Sequence, residues 1–579
     1  MGTLPWAVSL DENFRDFLKG LTMSEKTNKP EKKLLPQAPE LIRHGEVRNG
    51  RLIRYYGKKS ELVIPDDITD IAEEAFRGNT YITRVVLGRR VATIGPRAFQ
   101  DCSNLLQVIF PSGLRLIGDH AFEGCTSMTA LLLPRSVVSL GDCSFKGCTA
   151  LRHVVLSASI EYLGRYAFAD CESLEEITLP EGITDLHRCT FWGCRSLKSV
   201  TIPESVRTLG RYIFARCTSL REVTLGDQIV YVGIGAFSDC YSLTKVHMPT
   251  AIRVVADYTF SCCSNLETVE LPDHINYIGN AAFAHCQKLA SLVIPSDVKR
   301  IGHSAFMGCT SLEEVCIPAA VQDIAPSCFS YCGALKTVTI EANLKELEEH
   351  LFSHCFSLQK ITLPETLVKI EAEAFAKCTS LTVIELSPAL KIIEERAFWG
   401  CLALAEISFP ASLKVVGREV FKDCLSLTTV IFSNSRVRLK TGVFGGCDTL
   451  ETVVLPDGTF TFGKRSLKWG IPAATRLVTH KGLAAAEKLM QQTLENAVLN
   501  EEKEEIKAKT VEEFYTSLIE ELKERGQIGT SYAYKGSYRV LKQFNKKKKL
   551  NFTFSHIDVS FCKKFEDWMR SGILPQCRR

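Results

Sequence analysis

The chain has 579 residues, of which 45% are apolar and 23% charged, and its formal net charge is +4. This composition excludes a disordered chain, and no window approaches the roughly 18 consecutive apolar residues of a membrane span. The 23 cysteines would suggest a disulfide framework in a short secreted chain, but a chain this long has ample core, so they need another explanation.

Residues 1–45 form a first segment. Its opening stretch, MGTLPWAVSLDENFRDFLKG, carries Asp11, Glu12 and Asp16 and has no apolar run of signal-peptide length, so it does not read as a secretory signal. A cytoplasmic location is the expectation. Ser9 and Glu12 are placed to cap a short helix bearing Phe14, Phe17, Leu18 and Leu21. Residues 24–41, rich in Lys and Pro, read as a linker.

Residues 46–480 are governed by one period. Phenylalanine recurs every 23 residues from Phe76 to Phe444, giving 17 units without insertion or deletion, and a worn last unit has Leu467 at that position. Cysteine stands three residues after the Phe in 16 of the 17 units, from Cys102 to Cys447; the first unit has Asn79. Apolar residues follow at six, nine and eleven positions after the Phe, as at Leu174, Ile177 and Leu179, often with proline next, as at Pro180. Two more apolar positions lie three apart, such as Ile183 and Leu186.

The L-x-x-V-x-L-P segment alternates with period two and reads as a short strand, which proline ends because it cannot donate to the ladder. The segment leading into A-F-x-x-C is short, holds small residues, and suits a single helical turn with its Phe inward. One such unit cannot bury both faces, but stacked units form a continuous core. The fold class is therefore a leucine-rich-repeat type of solenoid, with parallel short strands plus single helical turns, followed by a small all-α C-terminal module. With roughly 4.8 Å between strands, about 18 turns make a body on the order of 85 Å long. At one fixed core position per turn, cysteine serves as a small buried hydrophobe. There is no C-x-x-C pair, and no second cluster joins Cys189, Cys194 and His187 into a zinc site.

Units such as SVRTLGRYIFARCTSLREVTLGD and DVKRIGHSAFMGCTSLEEVCIPA resemble BspA-like leucine-rich repeats, over about residues 52–470. The resemblance implies a curved solenoid with a parallel sheet on one face. It also implies a cell-surface adhesin role that binds host or matrix proteins, although no secretion signal is visible. In such a solenoid the residues eight and ten positions after each Phe face outward on the concave sheet. The ten-later positions begin with Val86, Ile109, Leu132 and Val155 and continue with Thr178, Thr201, Thr224, His247 and Glu270. The first four form an apolar patch, the candidate contact for a protein ligand.

After the repeats the organisation changes. Residues 481–509, rich in Ala, Glu and Lys, read as a helical connector. Residues 510–579 form a separate module: Thr510 and Glu513 make a capping box, and Val511, Phe514, Tyr515, Leu518, Ile519 and Leu522 share one helical face. A second helix spans about residues 530–545, and Asp558 can cap a third that bears Phe561, Phe565, Trp568 and Met569. From residue 526 to 579 there are 12 Lys or Arg and 3 Asp or Glu, a net of +9, so the remainder sums to −5. Clustered positive charge is the footprint of phosphate-backbone contact, and Lys535, Arg539, Lys542, Lys546, Lys547, Lys548 and Lys549 are the candidate DNA contacts. The pattern from TVEEFYTSLIEELKERGQIGTSYAYKGSYRVLKQF to HIDVSFCKKFEDWMRSG resembles the SAM-like core-binding domain of phage-type tyrosine recombinases, a domain that clamps DNA. The expected fourth helix and the whole catalytic domain of that family are missing, so recombinase activity is not expected.

No P-loop, H-E-x-x-H or G-x-S-x-G motif occurs. No enzyme activity, cofactor, metal or small-molecule substrate is expected. Three readings stand: a protein-binding scaffold, a DNA-associated protein acting through its basic C-terminal module, and a surface adhesin exported by a signal not visible in the sequence.

Overall fold

The structure is a computed structural model that describes residues 41, 43–434, 436–456, 470–472 and 475–479. The expected N-terminal helix, Leu467, the connector and the whole C-terminal module lie outside the described residues. Within them the chain is the expected parallel-strand solenoid, with each 23-residue unit forming one coil.

Three ladders of main-chain hydrogen bonds join the coils. The first is the strand read from the sequence, eight to ten residues after each Phe, as in Arg84–Val86, Gln107–Ile109 and Ala130–Leu132. Its strands pair in parallel at a register of 23, for example Val85 with Val108 and Val200 with Val223. Strand pairing lapses at residues 291–294 and 383–386. The second ladder was not anticipated as strand. The second of the two apolar positions three apart ends a two-residue strand in each coil, as in Thr93–Ile94, Leu116–Ile117 and Ser139–Leu140. Its second residue points inward and its first outward, so Ile94, Ile117 and Leu140 are buried.

The third ladder replaces the expected helical turn. Residues two before and two after each Phe have positive φ, for example Arg97 at 53° and Asp101 at 59° around Phe99. A right-handed helix cannot pass through such residues. The segment is instead a run of tight turns, closed by bonds such as Arg77 N–H to the Glu74 carbonyl at 3.1 Å. The alternate N–H groups point at the next coil: those of Glu74, Phe76 and Gly78 donate to the carbonyls of Pro96, Ala98 and Gln100 at 3.0, 2.7 and 2.7 Å. Left-handed backbone at a non-glycine residue costs about 1–3 kcal/mol. The inter-coil bonds offset that cost, because they turn amide groups that a helix would use internally toward the neighbouring coil.

The core is organised in columns. The 17 Phe rings from Phe76 to Phe444 are buried and stack in one line, with ring centroids 4.6–5.9 Å apart and planes within 16°. Burial of each ring is worth roughly 1.5–3 kcal/mol. The buried Tyr55 ring closes the line at one end, 5.4 Å from Phe76. Tyr55 ends a hairpin, Gly45–Arg48 with Arg51–Tyr55, whose second strand starts the short-strand ladder. Asn49 and Gly50 make its turn with φ of 50° and 75°, as a two-residue hairpin requires.

The cysteines do more than fill space. All sixteen thiols of the column are buried and free of disulfides. Each donates to the carbonyl of the Phe in the preceding coil, from Cys102 to Phe76 at 3.1 Å through to Cys447 to Phe421 at 2.9 Å. In the first unit Asn79 takes over, its amide donating to the Gly57 carbonyl at 3.0 Å. The thiol is thus both the small apolar group that the column accommodates and a donor to an inward carbonyl.

Burial pushes these thiols from an ordinary value of 9.0 up to about 12 at Cys102, Cys148, Cys332 and Cys401. A raised folded-state value means that the neutral thiols contribute stability in full below pH 9, lost as pH rises through 9 toward 12. The thermal midpoint of the full chain should therefore fall across that window. In a variant carrying Cys217→Ala, Cys240→Ala and Cys263→Ala, the midpoint should be lower at pH 7, reflecting a stability loss of roughly 1 kcal/mol for each lost bond, and its fall above pH 9 should be shallower. Equal slopes for the two proteins, followed by circular dichroism, would contradict a neutral, donating thiol column.

Candidate interaction surface

A strict 23-residue period places equivalent side chains in columns. Inward columns are occupied by Phe, Cys, Leu and Val, so chemical variety is confined to the outward columns. On the long-strand sheet these lie eight and ten residues after the Phe, as read from the sequence.

The structure places the predicted apolar residues in one such column. Val86 and Ile109 are in-register partners, as are Leu132 and Val155. Val86, Ile109 and Leu132 are half-buried between neighbouring strands, and Val155 is exposed at 36%. Val63 pairs with Val86 and extends the column by one coil. It was missed because it precedes the first Phe and so carries no mark of the period. Beyond Val155 the column turns polar, and Thr178, Thr201, Thr224, His247 and Glu270 are all exposed. Apolar residues recur later in the column, at Val293, which is 85% exposed where strand pairing lapses, and at Ile431 and Val454.

The polar part of the face is laced by ion pairs between adjacent coils. Lys198 meets Glu175 at 2.6 Å and Lys336 meets Glu313 at 2.8 Å. The Glu270 carboxylate accepts from Lys245 at 2.9 Å and lies 2.7 Å from His247 Nδ1, contacts that hold it below the usual carboxylate range. Lys198 does the same to Glu175. These carboxylates are engaged with neighbours and solvated, an arrangement suited to surface registry rather than to acid–base chemistry. Among the described residues no group of three or more His, Cys, Asp or Glu is arranged to hold a metal ion, and no helix is long and apolar enough to cross a membrane.

A second outward column was overlooked. Three residues before the Phe stand Arg165, Arg188 and Arg211 in successive coils. The signal is plain once units are aligned, as in LGRYAF, LHRCTF and LGRYIF, but only the strand positions were read by column. The predicted DNA contacts, Lys535, Arg539, Lys542, Lys546, Lys547, Lys548 and Lys549, lie outside the described residues.

Four overlapping stretches, residues 54–174, 139–266, 231–359 and 345–469, match the BspA type Leucine rich repeat region (6 copies). Residues 510–576 match the Phage integrase SAM-like domain. Among solved structures, the chain is similar to a leucine-rich repeat protein from Bacteroides ovatus, at 26% identity over 75% of this chain and 96% of that one, with a TM-score of 0.47. It is also similar to the leucine rich repeat protein of T. pallidum, at 31% identity over 33% of this chain and 82% of that one, with a TM-score of 0.27. A leucine rich cell surface protein from Faecalibacterium prausnitzii matches at 18% identity over 74% of this chain and 93% of that one, with a TM-score of 0.27. No curated protein matches the chain. The repeat match spans well over half of the sequence, and the chain belongs to the BspA-type leucine-rich repeat family.

Proposed function

We propose that the chain is a non-catalytic scaffold that holds a protein partner against the outer face of its long-strand sheet. One observation carries this reading: the column Val63, Val86, Ile109, Leu132 and Val155 sets five apolar side chains outward in consecutive coils, where the next five coils carry Thr, His and Glu. An aligned apolar patch on a soluble surface is a typical interaction site. The inward columns are the same in these coils as elsewhere, so core packing gives no reason for the change. β-Branched residues favour strands in general, yet the five strands that follow use Thr, His and Glu at the same position. Ile109→Asp and Leu132→Asp should each reduce crosslinked capture of a partner from native lysate at least tenfold and leave the circular dichroism spectrum unchanged. Retention of capture by both variants would exclude the patch as the site.

A second reading concerns the C-terminal segment. It is supported by the SAM-like match over residues 510–576 and by the net charge of +9 from residue 526 to 579. We propose that this segment contacts DNA phosphates through Lys535, Arg539, Lys542 and Lys546 to Lys549, without recombinase activity. Each phosphate neutralised adds roughly 0.9 to the slope of log affinity against log salt. The full chain should therefore bind labelled duplex DNA with a steep salt dependence, and replacing Lys546, Lys547, Lys548 and Lys549 by Gln should flatten the slope by about 3. An unchanged slope, read by fluorescence anisotropy, would remove these four residues from any DNA contact.

A further inference from the structure

The turn side of the solenoid carries a surface that the sheet does not explain. In four coils the residue three before the Phe has a structural task. Asp119, Asp142, Asp257 and Asn280 each accept, through the side-chain oxygen, the main-chain N–H of the equivalent residue in the next coil, at 2.7–2.8 Å. In three successive coils this position is Arg165, Arg188 and Arg211. Arginine has no acceptor, so this side-chain ladder stops where the arginines begin. They occupy the position without the bond that the two coils before them make.

All three arginines are exposed, and the Phe rings beneath them are 5.9 and 5.4 Å apart, which sets the step of the row. Some surface arginines are paired, as Arg195 with Glu172 at 3.5 Å and Arg300 with Asp323 at 3.1 Å. Among the described residues, Arg165, Arg188 and Arg211 form no ion pair. The Arg188 guanidinium instead lies 5.3 Å from the centre of the Tyr166 ring and donates to its hydroxyl from Nη2 at 2.6 Å and Nε at 3.1 Å. Two adjoining depressions, of about 390 and 490 Å³, share Arg188 and Arg211. One is bordered by Arg165 and Tyr231, the other by Tyr166, Trp192 and Tyr212. Gly210 keeps the row tight, because a Cβ there would stand 2.4 Å from the Arg188 main-chain nitrogen.

Arginine, tyrosine and tryptophan are the residue types that carry most of the energy at protein interfaces, and an arginine held against a ring presents its fork to a planar anion. The row is short. Asp142 precedes it and Asp257 follows two coils after its end, so a long uniform polyanion would meet carboxylates on both sides. Two or three carboxylates on an extended chain match its length. We infer that the Arg165–Arg188–Arg211 face binds a short acidic segment of a protein partner, the carboxylates on the arginine row and the intervening side chains against Tyr166, Trp192, Tyr212 and Tyr231. The inference rests on the scaffold reading but places this contact on a different face from the apolar column.

The test uses the full chain and two labelled probes, a ten-residue peptide of alternating Glu and Gly and an oligothymidylate of similar length, titrated by fluorescence anisotropy at low and physiological salt. The expected result is peptide binding that weakens at least tenfold in Arg188→Gln/Arg211→Gln, weakens less in Arg188→Lys, which keeps charge without the fork, and is unchanged in Ile109→Asp. Absence of peptide binding, or equal binding by the double variant, overturns the inference. Oligothymidylate binding lost specifically in the double variant, without peptide binding, also overturns it and reassigns the face to nucleic acid. If the peptide does not bind while partner capture stays sensitive to Ile109→Asp, this inference falls and the scaffold reading stands. If the peptide binds as expected while capture is insensitive to Ile109→Asp, the reverse holds.

Discussion

The structure depends on one repeated contact: a Phe ring buried against the ring of the coil before and the coil after. A single coil has no second layer to cover its apolar side, so a ring in an isolated coil would face water. Stacking at 4.6–5.9 Å supplies that cover on both sides and sets the axial step that every other column must follow. The step is close to the strand spacing in a sheet, so one period satisfies ring packing and main-chain hydrogen bonding together. This double demand accounts for 17 units of the same length. An inserted residue would put one ladder out of register with the ring beneath it.

The turn run shows how the backbone adapts to that demand. A helical turn would keep its N–H groups to itself and widen the coil. Left-handed residues on either side of the Phe direct alternate N–H groups along the axis instead, so the curved part of each coil is hydrogen-bonded to its neighbour as the strands are. The Cys thiol completes the arrangement. The Phe carbonyl, already bonded to the N–H three residues on, receives the thiol of the next coil as a second donor. Serine would bring a stronger donor but a larger desolvation cost into an otherwise dry column. Cysteine is a donor weak enough to be buried at little cost.

Much of this was legible in the amino-acid sequence, and the unread parts share a cause. Period reveals which positions are equivalent and apolarity reveals which face inward, so the Phe column, the long strand and the buried cysteines could all be read. Backbone conformation leaves no such mark. Asp101, Tyr166, Lys377 and His354 have little in common chemically, yet all sit at positive φ, because here the stack, not the residue, selects the conformation. The two-residue strands escaped for a related reason: two residues are too few to show alternation. The hairpin at Asn49 and Gly50 did carry a turn signal, but it lies before the first Phe, outside the period that guided the reading. The apolar column was legible because its members share a chemistry. The arginine row needed the units to be compared position by position.

Once packing claims the inward columns, the outward ones are the places where a coil can differ from its neighbours without disturbing them. A run of one residue type down an outward column then needs a reason other than the fold. Val63 to Val155 form such a run on the sheet, and the three arginines form another on the turn side. The second is the more telling. Isoleucine and valine on a strand satisfy β-propensity as well as any partner, whereas Arg165 and Arg188 stand where Asp119, Asp142, Asp257 and Asn280 each bond the coil that follows. Three arginines in a row, set against rings in the same coils, are less readily explained by the fold than valine or isoleucine on a strand.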